Sequence, residues 1–346
     1  MRVGVIGLGL IGGSIALAAR ERLGAHVSGW DANPLATKAA LKRGVIDEVA
    51  QVSADADVVV IAVPIIDLES ATLAALEAAG PTAVVTDVGS TKAAITAAVT
   101  DERFIGGHPL AGAESAGIEQ ARADLFTGAT WYLTPGPSSS GVSFERLHRF
   151  LVGLGAAPTA IDAEAHDRLM AAVSHLPHVL ANILVERVSD ALGTDNLPAT
   201  GPSFRDATRV AGANPALWAQ IYAANAEALG AEIDATIAAL TTVRAGLDRL
   251  EDWQREVQQL HRALLESELA AGPLEEIRVW VPNRPGVVAD LALTLGHAGI
   301  NIADMSLAPA SDGRTGLVAL WVASADALRA RELIDAKDLG GGKEPA

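Results

Sequence analysis

The chain has no cysteine among its 346 residues. That excludes disulfide frameworks, thiol nucleophiles and Cys-ligated zinc or iron–sulfur centres, and it leaves the compartment open. Positive charge is also scarce: 26 Lys and Arg face 42 Asp and Glu, a net charge of −16. So acidic a chain is a poor match for a phosphate backbone or an anionic bilayer, and neither nucleic acid nor membrane is expected as a partner. An anionic substrate would need individually placed cations to receive it. No unbroken apolar run approaches the ~18 residues of a membrane span, Val58–Ile66 being among the longest. A strand-like segment begins at Arg2, leaving no room for a cleavable leader, and the expectation is a soluble cytoplasmic protein.

What is present is apolar side chain in quantity. Half of the residues are hydrophobic, ample for full cores. At roughly 150 residues per domain the length predicts about two or three domains. Over residues 1–162 short β-branched runs alternate with Ala-rich helical stretches, and Val58-Val59-Val60-Ile61 is apolar throughout, as in a parallel strand covered on both faces. This predicts an α/β fold, a doubly wound Rossmann-type sheet. Residues 163–272 read as helix, with Pro177 expected to kink or divide the first stretch, Pro215 to start the next helix, and Pro215–Ala271 to form one or two long helices. Helices that long are expected to bury a face against a second chain, so a homodimer is expected. Residues 275–337 follow a βαββα order, a small α+β module, and 338–346 read as a disordered tail.

The strongest local signal is Gly7-Leu8-Gly9-Leu10-Ile11-Gly12, directly after the first strand and opening a helix. Gly7 permits the turn, Gly9 lets a pyrophosphate approach the backbone, and Gly12 lets helix and strand pack closely. The helix N-terminus offers free N–H groups to the phosphates. Asp31 ends the second strand 19 residues after Gly12. Its carboxylate can accept from a ribose 2′-hydroxyl and would repel a 2′-phosphate, which points to NAD rather than NADP. Val63 and Pro64, at the end of the strand Asp57–Val63, belong to the same cofactor edge. A plain glycine turn with a helix-capping Asp is the blander alternative.

Asp87-Val88-Gly89-Ser90-Thr91-Lys92 lies at the carboxyl end of the fourth strand, where open α/β sheets bind ligands. Ser90 is therefore a substrate-side candidate, or a cap for the helix that follows. Gly106-Gly107-His108-Pro109 comes after the fifth strand, with glycines that would let a ligand come close. His108, with an ordinary pKa of ~6.5, can take a proton from a substrate hydroxyl, or can merely satisfy a loop carbonyl. His175 and His178 are three apart; no further ligand pattern accompanies them, so no metal is expected, and the kink at Pro177 would aim one imidazole into a cleft. Arg205 and Arg209 are one helical turn apart, either solvated ion pairs or a clamp for a carboxylate.

In order along the chain, GLGLIGGS, DVGSTK, GGHPLAGAESAG, LFTGATWYLTP, VSHLPH and GPSFRDATRVA resemble the prephenate/arogenate dehydrogenases of tyrosine biosynthesis. Residues 277–336 resemble an ACT domain through VPNRPGV and GINI, which implies a ferredoxin-like regulatory module. The resemblance implies NAD-dependent oxidative decarboxylation of a cyclohexadienyl acid, prephenate or arogenate. It implies His108 as the base on the ring hydroxyl, Ser90 as the residue orienting it, Arg209 and His178 in substrate binding, and Glu114 as an acidic gate. The ACT module implies a small effector, most simply tyrosine, near Gly286 and Asn301, or assistance to assembly alone. A β-hydroxyacid dehydrogenase shares the glycine pattern but relies on a catalytic lysine in its helical region. A non-catalytic NAD- and amino-acid-binding sensor is the reading from another class, and His108, Ser90 and Arg209 argue against it.

Overall fold

The computed structural model describes residues 1–111, 117–192, 201–269, 274–282, 302–309 and 315–336, with 291, 294, 295, 298 and 300 between them. Glu114, Gly286, Asn301 and the tail lie outside the described residues. The chain divides into two compact units, Met1–Thr241 and Thr242–Ala346.

The first unit is built on an eight-stranded sheet. Its strands are β1 (Arg2–Ile6), β2 (His26–Trp30), β3 (Glu48–Val49), β4 (Val58–Ile61), β5 (Val84–Asp87), β6 (Phe104–Pro109), β7 (Thr130–Pro135) and β8 (Ala157–Ala160). Their spatial order is β3-β2-β1-β4-β5-β6-β7-β8. Helices α1 (Leu10–Leu23), α2 (Pro34–Lys42), α3 (Leu68–Ala78), α4 (Ala93–Ala98) and α5 (Gly141–Gly153) connect them. Val58 and Val60 face one core while Val59 and Ile61 face the other, all four within 1 % of full burial. Each such side chain is worth about 1.5–3 kcal/mol on burial, which is why this run reads as apolar without alternation. The strand order reverses between β1 and β4, and ligands bind at the carboxyl ends of strands at such a switch point.

One pairing departs from the all-parallel expectation: β6 and β7 are antiparallel, with His108 opposite Tyr132. The stretch from Leu110 to Ala129 contains, among its described residues, only the short 3₁₀ turn Ile118–Gln120, and without a crossover helix the chain returns antiparallel. β6 also runs through Pro109, so His108, read from the sequence as following the fifth strand, stands on that strand and not in a loop.

The helical segment begins with α6 (Ala163–Met170), a π turn at Ala171–His175 and α7 (Leu176–Leu192). The break falls before Pro177, which has no N–H to donate and sits in the first turn of α7. By length and composition Ala163–Ala191 is long and apolar enough to cross a membrane, with 22 % of its most apolar window buried. The buried face of that helix carries His166, Asp167 and His175. Then come α8 (Pro202–Thr208), α9 (Pro215–Ala224), α10 (Ala226–Ala245) and α11 (Glu251–Leu269). The expected one or two helices after Pro215 are therefore three, divided at Asn225 and around Gly246.

In the second unit, β9 (Leu274–Pro282), β10 (Ile302–Pro309) and β11 (Thr315–Ala323) form an antiparallel sheet in the order β10-β11-β9. Ile277, Val279, Val281, Val318, Leu320 and Val322 alternate onto one face and pack on the helix Ala327–Ala336. The first helix of the expected βαββα order falls mostly outside the described residues.

Candidate active site

The glycine loop follows β1 at the switch point. Gly7 has φ +92°, a left-handed conformation that disfavours a side chain, and a Cβ there would strike the Ala62 carbonyl. A Cβ at Gly12 would strike the Gly7 carbonyl. Gly9 is different: a Cβ there meets nothing within 4 Å, so packing does not require glycine and the space in front of it is open. No side chain caps α1 and no acidic residue stands in its first turn, leaving its N-terminal N–H groups directed at that space. Asp31 follows β2 and accepts hydrogen bonds from Leu8 N (2.7 Å) and Asn33 N (2.7 Å). A carboxylate has further acceptor sites, so the hold on Leu8 leaves it able to take a ribose hydroxyl. Ala62 N donates to Ile6 O at 2.7 Å, placing Val63 and Pro64 beside the loop. These residues fit a dinucleotide.

Next to them β5 ends on a buried ion pair. Asp87 and Lys92 are both 0 % exposed and in direct contact. Asp87 also accepts from Gly89 N (2.8 Å) and Gly107 N (3.2 Å), tying the turn after β5 to β6 just before His108. Burial lowers the Lys92 pKa, and the charge of Asp87 opposes that shift. Gly106 and Gly107 are needed for this packing: a Cβ on Gly107 would come within 2.9 Å of both Thr86 Oγ1 and Trp131 Nε1, and one on Gly106 would strike Thr134. They serve the contact between strands, not the approach of a ligand. Ser90 is part-exposed on the same turn, and among the described residues its hydroxyl has no partner. It is not the cap of α4, whose first N–H groups are taken by a residue far along the chain. Asp167 on α6 accepts from Lys92 N (2.7 Å) and Ala93 N (2.9 Å).

His108 is part-buried at the carboxyl end of β6. Its Nδ1 lies 2.9 Å from His166 Nε2, and His166 Nδ1 lies 2.8 Å from Asp167 Oδ1. Burial, and then the positive charge that His166, Lys92 and His175 can carry, push the His108 pKa well below 6.5. At neutral pH it is an uncharged imidazole able to accept a proton.

The helical side adds an aromatic wall. His178 stacks on Trp218 with ring centroids 3.4 Å apart, and Tyr222 lies against the same indole at 5.4 Å. Burial and the Arg209 guanidinium lower the His178 pKa, which puts Arg209 in its electrostatic neighbourhood. Arg209 opens the 3₁₀ turn Arg209–Gly212 after α8. His175 is 1 % exposed, receives Asn225 Nδ2 at 3.1 Å on its Nδ1, and has its pKa pushed down to about 4, burial being the main cause. Of the histidine pair, His175 is thus a buried structural group and His178 the more accessible one. Asn225 Nδ2 also donates to Asp167 O at 2.7 Å. Among the described residues no cluster of three His, Asp or Glu side chains has metal-binding geometry.

Sequence reasoning missed His166, Asp167, Asn225 and the role of the Asp87–Lys92 pair. His166 and Asp167 on the same helical face as Met170 were the available signal, since buried polar groups need partners.

Comparison with known proteins identifies the family. Residues 15–159 match the family model described as the prephenate dehydrogenase nucleotide-binding domain, 162–264 the prephenate dehydrogenase dimerization domain, and 276–337 the ACT domain. A prephenate dehydrogenase of Bacillus subtilis (strain 168) is 30 % identical, with 96 % of this chain and 95 % of that protein covered. The solved prephenate dehydrogenase of A. aeolicus in complex with hydroxyphenyl propionate and NAD+ is 26 % identical, with a TM-score of 0.71, covering 77 % of this chain and 98 % of that one. The arogenate dehydrogenase of Synechocystis is 29 % identical, with a TM-score of 0.63, covering 78 % and 98 %. With the glycine loop, the His108 strand and the SHLPH helix in one unit, and a relative matched along nearly its whole length, the chain belongs to the prephenate dehydrogenase family.

Proposed function

We propose that the chain is an NAD-dependent prephenate dehydrogenase that converts prephenate to 4-hydroxyphenylpyruvate and CO₂. The observation that carries this reading is the placement of His108 at the carboxyl edge of β6, three strands from the open glycine loop. At ~4.8 Å per strand that is about 14 Å along the edge. Gly7–Gly12, Asp31, Val63 and Pro64 would hold the dinucleotide, which would supply the hydride acceptor. His108 draws the proton from the ring hydroxyl as hydride leaves the same carbon. Loss of CO₂ from the opposite ring carbon returns an electron pair to the ring, and the resulting phenolate recovers the proton from His108. Aromatisation drives the sequence, so the protein supplies position and one proton acceptor.

Ser90, on the turn pinned by Asp87, orients the hydroxyl toward His108. Arg209 and His178 receive the side-chain carboxylate. Holding the departing carboxylate instead would stabilise charge that must move into the ring, and would oppose the reaction. Glu114 gates the pocket. Residues 1–162 thus bind the cofactor, 163–272 complete the substrate site and pair two chains, and 275–337 regulate. Exposed Ile183, Leu184, Ile237 and Leu240 supply apolar surface for the homodimer. Tyrosine bound near Gly286 and Asn301 inhibits the enzyme.

The deciding experiment mixes the full chain with NAD⁺ and prephenate, or arogenate in a parallel series, and follows NADH absorbance. Turnover with prephenate at the higher kcat/KM supports the proposal, arogenate at the higher value reassigns the substrate, and no signal with either overturns it. Titrating tyrosine into the same assay tests the regulation, and light scattering at micromolar chain concentration tests the dimer.

A further inference from the structure

We propose that His166 and Asp167 form a positioning relay behind His108, selecting the imidazole tautomer whose free nitrogen faces the substrate. The inference rests on the dehydrogenase reading above and adds two residues to its machinery.

The geometry is a chain of three groups: Asp167 Oδ1, His166 Nδ1 at 2.8 Å, then His166 Nε2 to His108 Nδ1 at 2.9 Å. The carboxylate end fixes its polarity. Asp167 already accepts two backbone N–H groups, from Lys92 on Oδ1 and from Ala93 on Oδ2, which hold it in place. A carboxylate only accepts, so His166 Nδ1 carries the hydrogen. In the relay His166 Nε2 is then the acceptor and His108 Nδ1 the donor. His108 Nε2 keeps its lone pair, the form a base requires. The opposite tautomer would put a hydrogen on Nε2 and leave His108 unable to take the substrate proton there.

His166 is placed for this and for little else. It is 0 % exposed, sealed on one side by the edge contact of Tyr132, with ring centroids 5.6 Å apart, and it meets His108 edge-on at 5.1 Å. The other ionisable groups facing His108 are Lys92, paired with Asp87, and His175, held by Asn225. Neither is hydrogen-bonded to the His108 ring among the described residues, so its orientation rests on His166. When His108 takes a proton, the cation that forms donates to His166, and Asp167 stands at the far end of the chain to stabilise it. The proton itself stays on His108, and no proton need pass along the relay.

The test uses the full chain and two readouts. First, ¹⁵N NMR of the histidine side chains in the unsubstituted protein, with His108 assigned by the His108→Asn spectrum, reports which nitrogen of the neutral ring bears hydrogen without needing turnover. A hydrogen on His108 Nδ1 supports the relay, and one on Nε2 overturns it whatever the substrate proves to be. Second, His166→Gln and His166→Asn are compared. A Gln carbonyl can reach the position of Nε2 and accept from His108, whereas Asn reaches only the Nδ1 position toward Asp167. The expected result is a kcat loss of ~10²-fold or more in His166→Asn with NAD⁺ affinity and substrate KM within about threefold, and at least ~10-fold recovery in His166→Gln. Equal losses in the two variants, or losses accompanied by the same loss of NAD⁺ binding, would assign His166 a structural role only. Absence of turnover in the unsubstituted protein with either acid would count against the substrate reading, while the NMR result would still decide the relay.

Discussion

Replacing Lys92 by Met removes the ammonium from a site where neither partner touches solvent. Asp87 then stays behind as a buried carboxylate with two backbone donors, Gly89 N at 2.8 Å and Gly107 N at 3.2 Å. Breaking a buried pair from one side costs about 3–5 kcal/mol, and the two remaining donors place the cost near the lower end, about 3 kcal/mol. For a unit of 241 residues, at ~2–4 °C per kcal/mol, the melting temperature is expected to fall by about 6–12 °C. Scanning calorimetry at neutral pH measures it. Added salt is expected to change the difference little, because a pair with no solvent contact is screened far less than a surface pair. Adding Asp87→Asn to Lys92→Met removes the orphaned charge while keeping an acceptor for Gly107, so the double variant is expected to recover at least half of the loss. A fall below about 2 °C in the single variant, or a double variant less stable than the single, would refute the reasoning that this pair holds the turn after β5 against β6.

Two further predictions follow from the site. Gly9→Ala is expected to keep the melting temperature, because its Cβ meets nothing, and to weaken NAD⁺ binding by ~10-fold or more, whereas Gly12→Ala, whose Cβ would strike the Gly7 carbonyl, is expected to cost about 1–3 kcal/mol of stability; calorimetry and NAD⁺ titration separate them. Arg209→Ala is expected to raise the substrate KM by about tenfold to a hundredfold with kcat largely kept, on the basis of ~1.5–3 kcal/mol per charged hydrogen bond, and a large loss of kcat at unchanged KM would contradict its assignment to the side-chain carboxylate.

The glycine loop was legible in the sequence because the geometry of Gly7 and Gly12 is decided by backbone within a few residues or on the adjoining strand, and a fixed spacing encodes it. The strand Val58–Ile61 was legible for a similar reason, since burial on both faces leaves no polar position. His108 was found through its neighbours in sequence, but its setting was not. The strand that carries it extends past Gly107 only because Thr130–Pro135 returns antiparallel, and no local pattern states which strand will return. Ser90 looked like a cap because capping is normally local, yet the cap of α4 comes from Asp167, 74 and 75 residues beyond the N–H groups it holds. Asn225 looked like a position inside a helix and proves to be a helix end whose amide ties Asp167 to His175. In each case the missing information was tertiary: a buried polar group whose partner lies on another element.

The proposed reaction requires His108 as an uncharged base. The measurement that tests it most directly is the pH dependence of kcat/KM with prephenate and NAD⁺, for the unsubstituted enzyme and for His108→Asn. The active form of His108 is the neutral one, and its pKa is depressed well below 6.5. Activity is therefore expected to stay level as pH falls through 6.5 and to decline only below it, while His108→Asn loses ~10²-fold or more with NAD⁺ affinity retained. An acid limb at or above pH 6.5, or a His108→Asn variant near full activity, would contradict it.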